Sequence, residues 1–257
     1  MNWQGAPKSK ASSILDALNE IVREGGRNEL GLKKCEQQAT LLLKDDAPRA
    51  YELLGIIEAI RCSNDKASQY FEKAIALQPH EARLLSNYAI SLFKVGQFSE
   101  AIDYSIKAVN IEKENLSYLR LLINGCRRSG SLNLAMQYLD QWKKESPDTP
   151  FDNAKELESM YMYFSDLALS DDNVRAMIEV ACSVLLDNGI YAPGESSLAM
   201  GVQEDDESKW FTYAFRLEEP VEQCVLLNEK IAEEFSKNTA TSDALSIPFV
   251  ITCECAR

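Results

Sequence analysis

The feature that most constrains this chain is a repeat. Written in rows of 34 from Pro48, the sequence aligns Tyr51 with Leu85 and Leu119, Leu54 with Tyr88 and Leu122, and Ala67 with Ala101 and Ala135. In the same register Tyr70 falls over Tyr104 and Tyr138, Gly55 over Ala89 and Ile123, Ala74 over Ala108 and Trp142, and Pro79 over Lys113 and Pro147. A period of this length implies one supersecondary unit per row, which cannot bury its apolar face alone and must stack on its neighbours. Within each row the apolar residues recur at helical spacing in two runs. Gly96 and Gly130 interrupt the second and third rows where the chain has to reverse, so each row reads as two amphipathic helices. The small residues Gly55, Ala67, Ala89, Ala101 and Ala135 mark the places where helices approach closely.

The succession of a large apolar residue, Leu54-Gly55, Ala67, Tyr70, Ala74 and Pro79 resembles the tetratricopeptide repeat, over residues 48–147. The resemblance implies a right-handed helical solenoid whose first helices line a concave groove for an extended peptide or a partner's helix. Position by position, the lining it implies is Arg49, Glu52, Leu53, Ile56 and Ile60, then Arg83, Ser86, Asn87, Ile90 and Lys94. The third row adds Ser117, Arg120, Leu121, Asn124, Arg127 and Arg128. The subset of the family that grips C-terminal carboxylates uses a Lys/Asn/Asn/Lys/Arg constellation. Glu52, Ile56, Asn87, Ser117 and Leu121 stand at those places here, so only Asn87 fits and that clamp is absent. The groove instead combines an apolar end, Leu53, Ile56 and Ile60, with a basic end, Arg83, Lys94, Arg120, Arg127 and Arg128. Guanidinium forks pair with carboxylates, so the expected guest is an acidic or amphipathic segment of another protein. Arg127 and Arg128 also precede Gly130, where cations complement a helix dipole.

The rest of the chain divides by its pattern. Residues 1–12 read as a flexible tail and 13–47 as a degenerate helical cap, broken at Gly25-Gly26 and built on Leu15, Leu18, Ile21, Val22, Leu30, Cys35, Ala39 and Leu42. Three repeats fill 48–150, and 151–170 supplies a helix that closes the solenoid, with Leu157, Met160, Tyr161, Phe164 and Ala168 on one face. From 171 the grammar changes, and the family resemblance stops. A helix over 173–188 is followed by two alternating segments, Leu198, Met200, Val202 and Phe211, Tyr213, Phe215, Leu217, joined by a polar turn. A helix carrying Cys224, Leu227, Ile231 and Phe235 and a last strand over 246–255 complete the order helix, strand, strand, helix, strand. The expected fold is an all-α solenoid to about Leu169 followed by a small α+β domain whose last strand joins the hairpin's sheet.

Charge separates the same two regions. Residues 1–150 carry 20 basic and 19 acidic side chains, whereas 151–257 carry 7 and 21, so the net charge of −13 belongs to the second part. An acidic surface repels nucleic acid and anionic membranes and favours basic partners. The chain has one histidine, His80, so a histidine triad or a multi-histidine metal site is excluded, and no phosphate-binding glycine motif occurs. The seven cysteines, mostly within apolar helical runs, read as reduced and buried thiols, and Cys253 with Cys255 as two strand residues on one face. The acidic doublets Asp45-Asp46, Asp171-Asp172 and Asp205-Asp206 read as helix starts and a hairpin turn. MNWQGAPKSK lacks the apolar middle of a signal peptide, and no apolar run reaches bilayer length. The expectation is a cytoplasmic, non-enzymatic interaction protein, an adaptor or chaperone, with no cofactor, metal, nucleic acid or membrane as partner. The alternative is an inhibitor or immunity protein whose acidic C-terminal domain neutralises a basic toxin or nuclease, and a catalytic role for the α+β unit is the outsider.

Overall fold

A computed structural model describes residues 2–4, 9–24, 28–190, 197–205, 208–237 and 247–256. The chain is mostly helical, with a small three-stranded sheet near its C-terminal end. The first helices are α1 (Lys10–Arg23) and α2 (Glu29–Leu42); the repeat region supplies α3 (Ala47–Ile60), α4 (Asn64–Leu77), α5 (Ala82–Lys94), α6 (Phe98–Ile111), α7 (Leu116–Arg128) and α8 (Leu132–Glu145). The 34-residue phase reappears in the backbone. Helices α4, α6 and α8 begin at residues 64, 98 and 132, and the reversing turns place Cys62, Gly96 and Gly130 at φ 58°, 78° and 70°. Only glycine takes that left-handed conformation without strain, so Cys62 is the exception.

The chain forms two compact units, Met1–Val95 with Glu100–Tyr118, and Gly96–Ser99 with Leu119–Arg257. The division falls inside the repeats, whereas the expected boundary lay near residue 170.

In the first unit α3 packs against α1, α2, α4 and α5. Its core holds Leu18, Ala39, Leu53, Ile56, Ile57, Phe71, Ala74, Ala89 and Phe93, all shielded from solvent. The Phe71 ring stacks on Tyr88 with centroids 4.6 Å apart, and a Cβ on Gly55 would come within 2.7 Å of Phe71, so the small residue at this position permits the contact. In the cap pair the buried residues of α2 are Leu32, Cys35 and Ala39; Leu30, expected inside, is 82% exposed. All four lie on a helix that begins at Glu29, and the core-facing stripe runs through 32, 35 and 39 at helical spacing. The Gly25-Gly26 break lies outside the described residues. The tail expected over 1–12 is shorter than its span suggested: Ser9 caps α1 through a capping box with Ser12, and Trp3 is buried.

The second unit adds α9 (Ala154–Asp166), α10 (Asp171–Asp187), β1 (Leu198–Glu204), β2 (Lys209–Leu217), α11 (Val221–Lys237) and β3 (Phe249–Cys255). Strand β1 runs antiparallel to β2, and β3 joins the other edge of β2 in parallel after the α11 crossover. Phe211, Tyr213, Phe215 and Leu217 of β2 are all buried, as are Cys224, Leu227, Ile231 and Phe235 of α11. Helix α9 ends at Asp166, earlier than expected. Ala168 beyond it is exposed at φ 51°, while Phe164 reaches the Phe211 ring edge-on.

Helix α10 explains why the third repeat belongs with the sheet. Its stripe Val174, Ile178 and Cys182 lies against the turn glycines: a Cβ on Gly130 would overlap Val174 and Ile178, and one on Gly96 would overlap Cys182. Asp171 accepts hydrogen bonds from the Asn133 and Leu134 backbone N–H groups at 3.0 and 2.9 Å, capping the first turn of α8, and Glu179 accepts from the Ser99 N–H at 2.5 Å. Arg175 donates to Ser99 and Ser131, both at 3.0 Å. The large residues Ile123 and Trp142, at positions that are small in the earlier rows, are buried as well. Phe151 meets Trp142 edge-on at 5.2 Å and Thr149 accepts its indole N–H at 2.8 Å, so the chain after α8 fills the space.

Candidate functional site

The first helices of the first unit, α1, α3 and α5, pack side by side and present a row of polar side chains. Asp46 accepts the Arg49 N–H at 3.2 Å and starts α3, which places Arg49 and Glu52 one turn apart. On α5, Arg83, Asn87 and Ser91 follow at four-residue steps and therefore share one face. Glu52 is the centre. Arg49 Nη1 reaches it at 2.5 Å, Arg83 Nη1 lies 2.6 and 2.7 Å from its two oxygens, and Asn87 Nδ2 donates to it at 2.6 Å. Glu52 is 1% exposed; burial pushes its carboxyl up to about 7, and Arg49 and Asn87 pull the other way. Glu81 reaches Arg83 Nε at 3.4 Å, so with both carboxylates ionised the two guanidinium groups are balanced. Arg49, 5% exposed, also keeps Nε and Nη2 buried without a hydrogen-bond partner among the described residues.

A piece of the chain that is neither helix nor strand, Trp3–Gln4, lies on this row. Asn87 holds Gln4 by both main-chain groups, accepting its N–H at 2.7 Å and donating to its carbonyl at 3.0 Å. Asn19 of α1 does the same for Trp3, both contacts at 3.1 Å. The Trp3 indole N–H donates to Ser91 Oγ at 3.0 Å, Lys94 Nζ sits 4.9 Å from a Trp3 ring centroid, and the residue is 3% exposed. A primary amide matches a peptide unit donor for acceptor, so each asparagine reads an extended main chain without reading its side chains.

The residues expected to line a groove therefore separate into three groups. Arg83, Asn87 and Lys94 surround the Trp3–Gln4 segment or its Glu52 anchor, and Arg49 joins them through Glu52. Leu53, Ile56 and Ile90 are core residues, 0%, 0% and 2% exposed, so the apolar end expected on a groove surface is part of the packed interior. Arg120, Asn124, Arg127 and Arg128 belong to the second unit. There Arg120 lies over the Trp142 ring and 3.8 Å from Asp152, Arg127 is 3.8 Å from Glu156, and the Arg128 carbonyl accepts the Tyr213 hydroxyl. Arg120 and Arg127 are thus engaged within the chain through their guanidinium groups and Arg128 through its carbonyl. Sequence reasoning missed Trp3, Gln4, Asn19 and Ser91; the one available signal was a tryptophan standing in an otherwise polar run.

The remaining candidates are structural. Asp46 and Asp171 cap helices, and Asp205 accepts the Ser208 N–H at 2.7 Å in the hairpin turn, whose Asp206 and Glu207 lie outside the described residues. His80 is exposed, and among the described residues no cluster of three or more His, Cys, Asp or Glu could hold a metal. Five of the seven cysteines are buried; burial pushes Cys126 up strongly and Cys182 and Cys253 up to about 12, which disfavours their thiolate forms. A cavity of about 840 Å³ in the second unit is lined by Arg216, Glu218, Glu254 and Cys255 among others. Among the described residues no helix is long and apolar enough to cross a membrane. No family model matches this chain, and no curated protein matches it either.

Proposed function

We propose that the chain is a non-enzymatic interaction module of tetratricopeptide-like construction, a cytoplasmic adaptor or chaperone that takes an extended segment of another protein across its first-helix face. The observation that carries the reading is the pair of asparagine clamps on Trp3 and Gln4, because they hold main chain rather than side chains. The 34-residue phase and the family resemblance over 48–147 support it, since that family uses the same face. The buried Arg49 Nε and Nη2, which meet no acceptor among the described residues, favour the acidic or amphipathic guest. A second reading, an inhibitor or immunity protein, rests on the 21 acidic against 7 basic residues of 151–257.

One titration decides between them. The partner that co-purifies with the native protein is titrated against a Gln4→Pro chain with and without Asn87→Ala and against a chain neutralised at Glu204, Asp205, Asp206 and Glu207. Weakening of about tenfold or more when Asn87→Ala is added to a Gln4→Pro chain, whose own segment no longer gives the clamp its N–H, with the neutralised chain unchanged, supports the groove, since a lost hydrogen-bond clamp in a buried site removes on the order of 1–3 kcal/mol. Slower association and a flatter salt dependence of the neutralised chain, with Asn87→Ala silent, supports the acidic domain.

A further inference from the structure

The groove reading above leaves one arrangement unexplained: the site is already full, and it is full of this chain. We propose that residues 2–4 are an intramolecular stand-in for the guest, that the guest is an extended, tryptophan-bearing segment of a partner protein, and that it binds by displacing them. This rests on the groove reading and deepens it.

Three features of the site support a displaceable occupant. Residues 2–4 form no helix or strand, and Trp3 and Gln4 are held by side chains of α1 and α5, so the segment can leave without unpairing an element. The pocket around Trp3 is specific where the clamps are not: Ser91, itself 2% exposed, accepts the indole N–H and donates to the Asn87 carbonyl, and Lys94 lies on the ring. A guest therefore needs a tryptophan at this place and only main chain beside it. Finally, two buried Arg49 donor atoms are unmet among the described residues, so a guest that brings a carboxylate or carbonyl to them gains what residues 2–4 do not supply.

The tether makes the consequence large. Only Gly5, Ala6, Pro7 and Lys8 separate Gln4 from the Ser9 cap, and a short tether presents its end at an effective concentration of about a millimolar. For a segment that binds in trans with a Kd of about 10 μM, this corresponds to a roughly hundredfold loss of apparent affinity for any competitor. Cis occupancy thus acts as a threshold that weak guests do not cross.

The test uses the full-length chain and a fluorescent peptide of the sequence Met1–Lys8. Two variants open the groove differently: Trp3→Ala empties the indole pocket, and Gln4→Pro removes the N–H that Asn87 accepts while leaving the tryptophan in place. Both are expected to bind the peptide at least tenfold more tightly than the wild type, and a peptide with alanine in place of its tryptophan is expected to bind neither. If Trp3→Ala fails to fold, Gln4→Pro carries the comparison. Equal affinity for wild type and variants overturns the displacement and leaves the groove reading standing. No binding to either folded variant overturns both. A concentration-dependent dimer of the wild type that Trp3→Ala abolishes also overturns the proposal, because the segment would then seat on a second copy.

Discussion

Substituting Gly55 by alanine sets two effects of known size against each other at one atom. Gly55 is in the interior of α3, where alanine is the better helix former by about 0.8–1 kcal/mol. The added Cβ, however, would lie 2.7, 2.9 and 3.2 Å from three carbons of the Phe71 ring, against an ordinary carbon–carbon separation of about 3.5–4.0 Å. The ring has nowhere to go. Phe71 is 0% exposed and stacked on Tyr88 at 4.6 Å, and Tyr88 in turn meets Tyr104 at 4.6 Å. Overpacking of this kind costs about 1–3 kcal/mol, so Gly55→Ala is expected to destabilise the first unit by roughly 1 kcal/mol despite its better propensity. In a Phe71→Leu background the clash is relieved and the same substitution is expected to stabilise by about 1 kcal/mol, a coupling of roughly 2 kcal/mol between residues in contact. Hydrogen exchange of the α3 and α4 amides, read beside urea unfolding, measures the cycle on the unit concerned. A stabilisation of about 1 kcal/mol in both backgrounds, with no coupling, refutes the close-packing argument.

The turns that follow each first helix offer a matched comparison. Gly130→Ala adds left-handed strain and an overlap with Val174 and Ile178, so a loss of about 2–4 kcal/mol in thermal or urea unfolding is expected, whereas Cys62→Gly relieves the same conformation and is expected to gain about 0.5–1 kcal/mol. Burial raises the Glu52 carboxyl to about 7 from 4.5, so the folded state holds a proton that the unfolded chain has lost. Its contribution is full below the unfolded value and lost as pH rises through about 7; unfolding free energies at pH 5.5 and 8 should therefore fall more steeply for the wild type than for Glu52→Gln, and parallel profiles would contradict the assignment. In native buffer at pH 8, iodoacetamide is expected to modify Cys62 and Cys255, which are partly exposed, and to spare Cys126 and Cys182 until denaturant is added, as mass spectrometry of the peptides would show.

The fold was legible wherever periodicity carries it. Three rows in register specified six helices, because a 34-residue period and 3.6-residue apolar spacing leave few other ways to bury the same stripe; the structure returns α4, α6 and α8 at the expected step. Alternation did the same for β2, and the order helix, strand, strand, helix, strand was readable from its turns. The register of its row placed Asn87 among the expected lining residues, and the structure puts it against Gln4 of the same chain. What sequence could not supply are the contacts between distant segments. Asp171 looked like the start of its own helix and instead caps α8; Gly96 and Gly130 looked like turn residues and are also the places where α10 comes close, so the compact units divide inside the repeats. The basic lining read from the rows is largely paired once Glu52, Asp152 and Glu156 are brought beside it. Trp3 lies 88 residues from Ser91 and Gln4 lies 83 from Asn87, and no local pattern encodes a contact at such separation. Helical period and strand alternation are properties of neighbouring residues, so the sequence alone determined the elements; which carboxylate meets which guanidinium, and which segment fills the site, depends on long-range packing that only the tertiary structure decides.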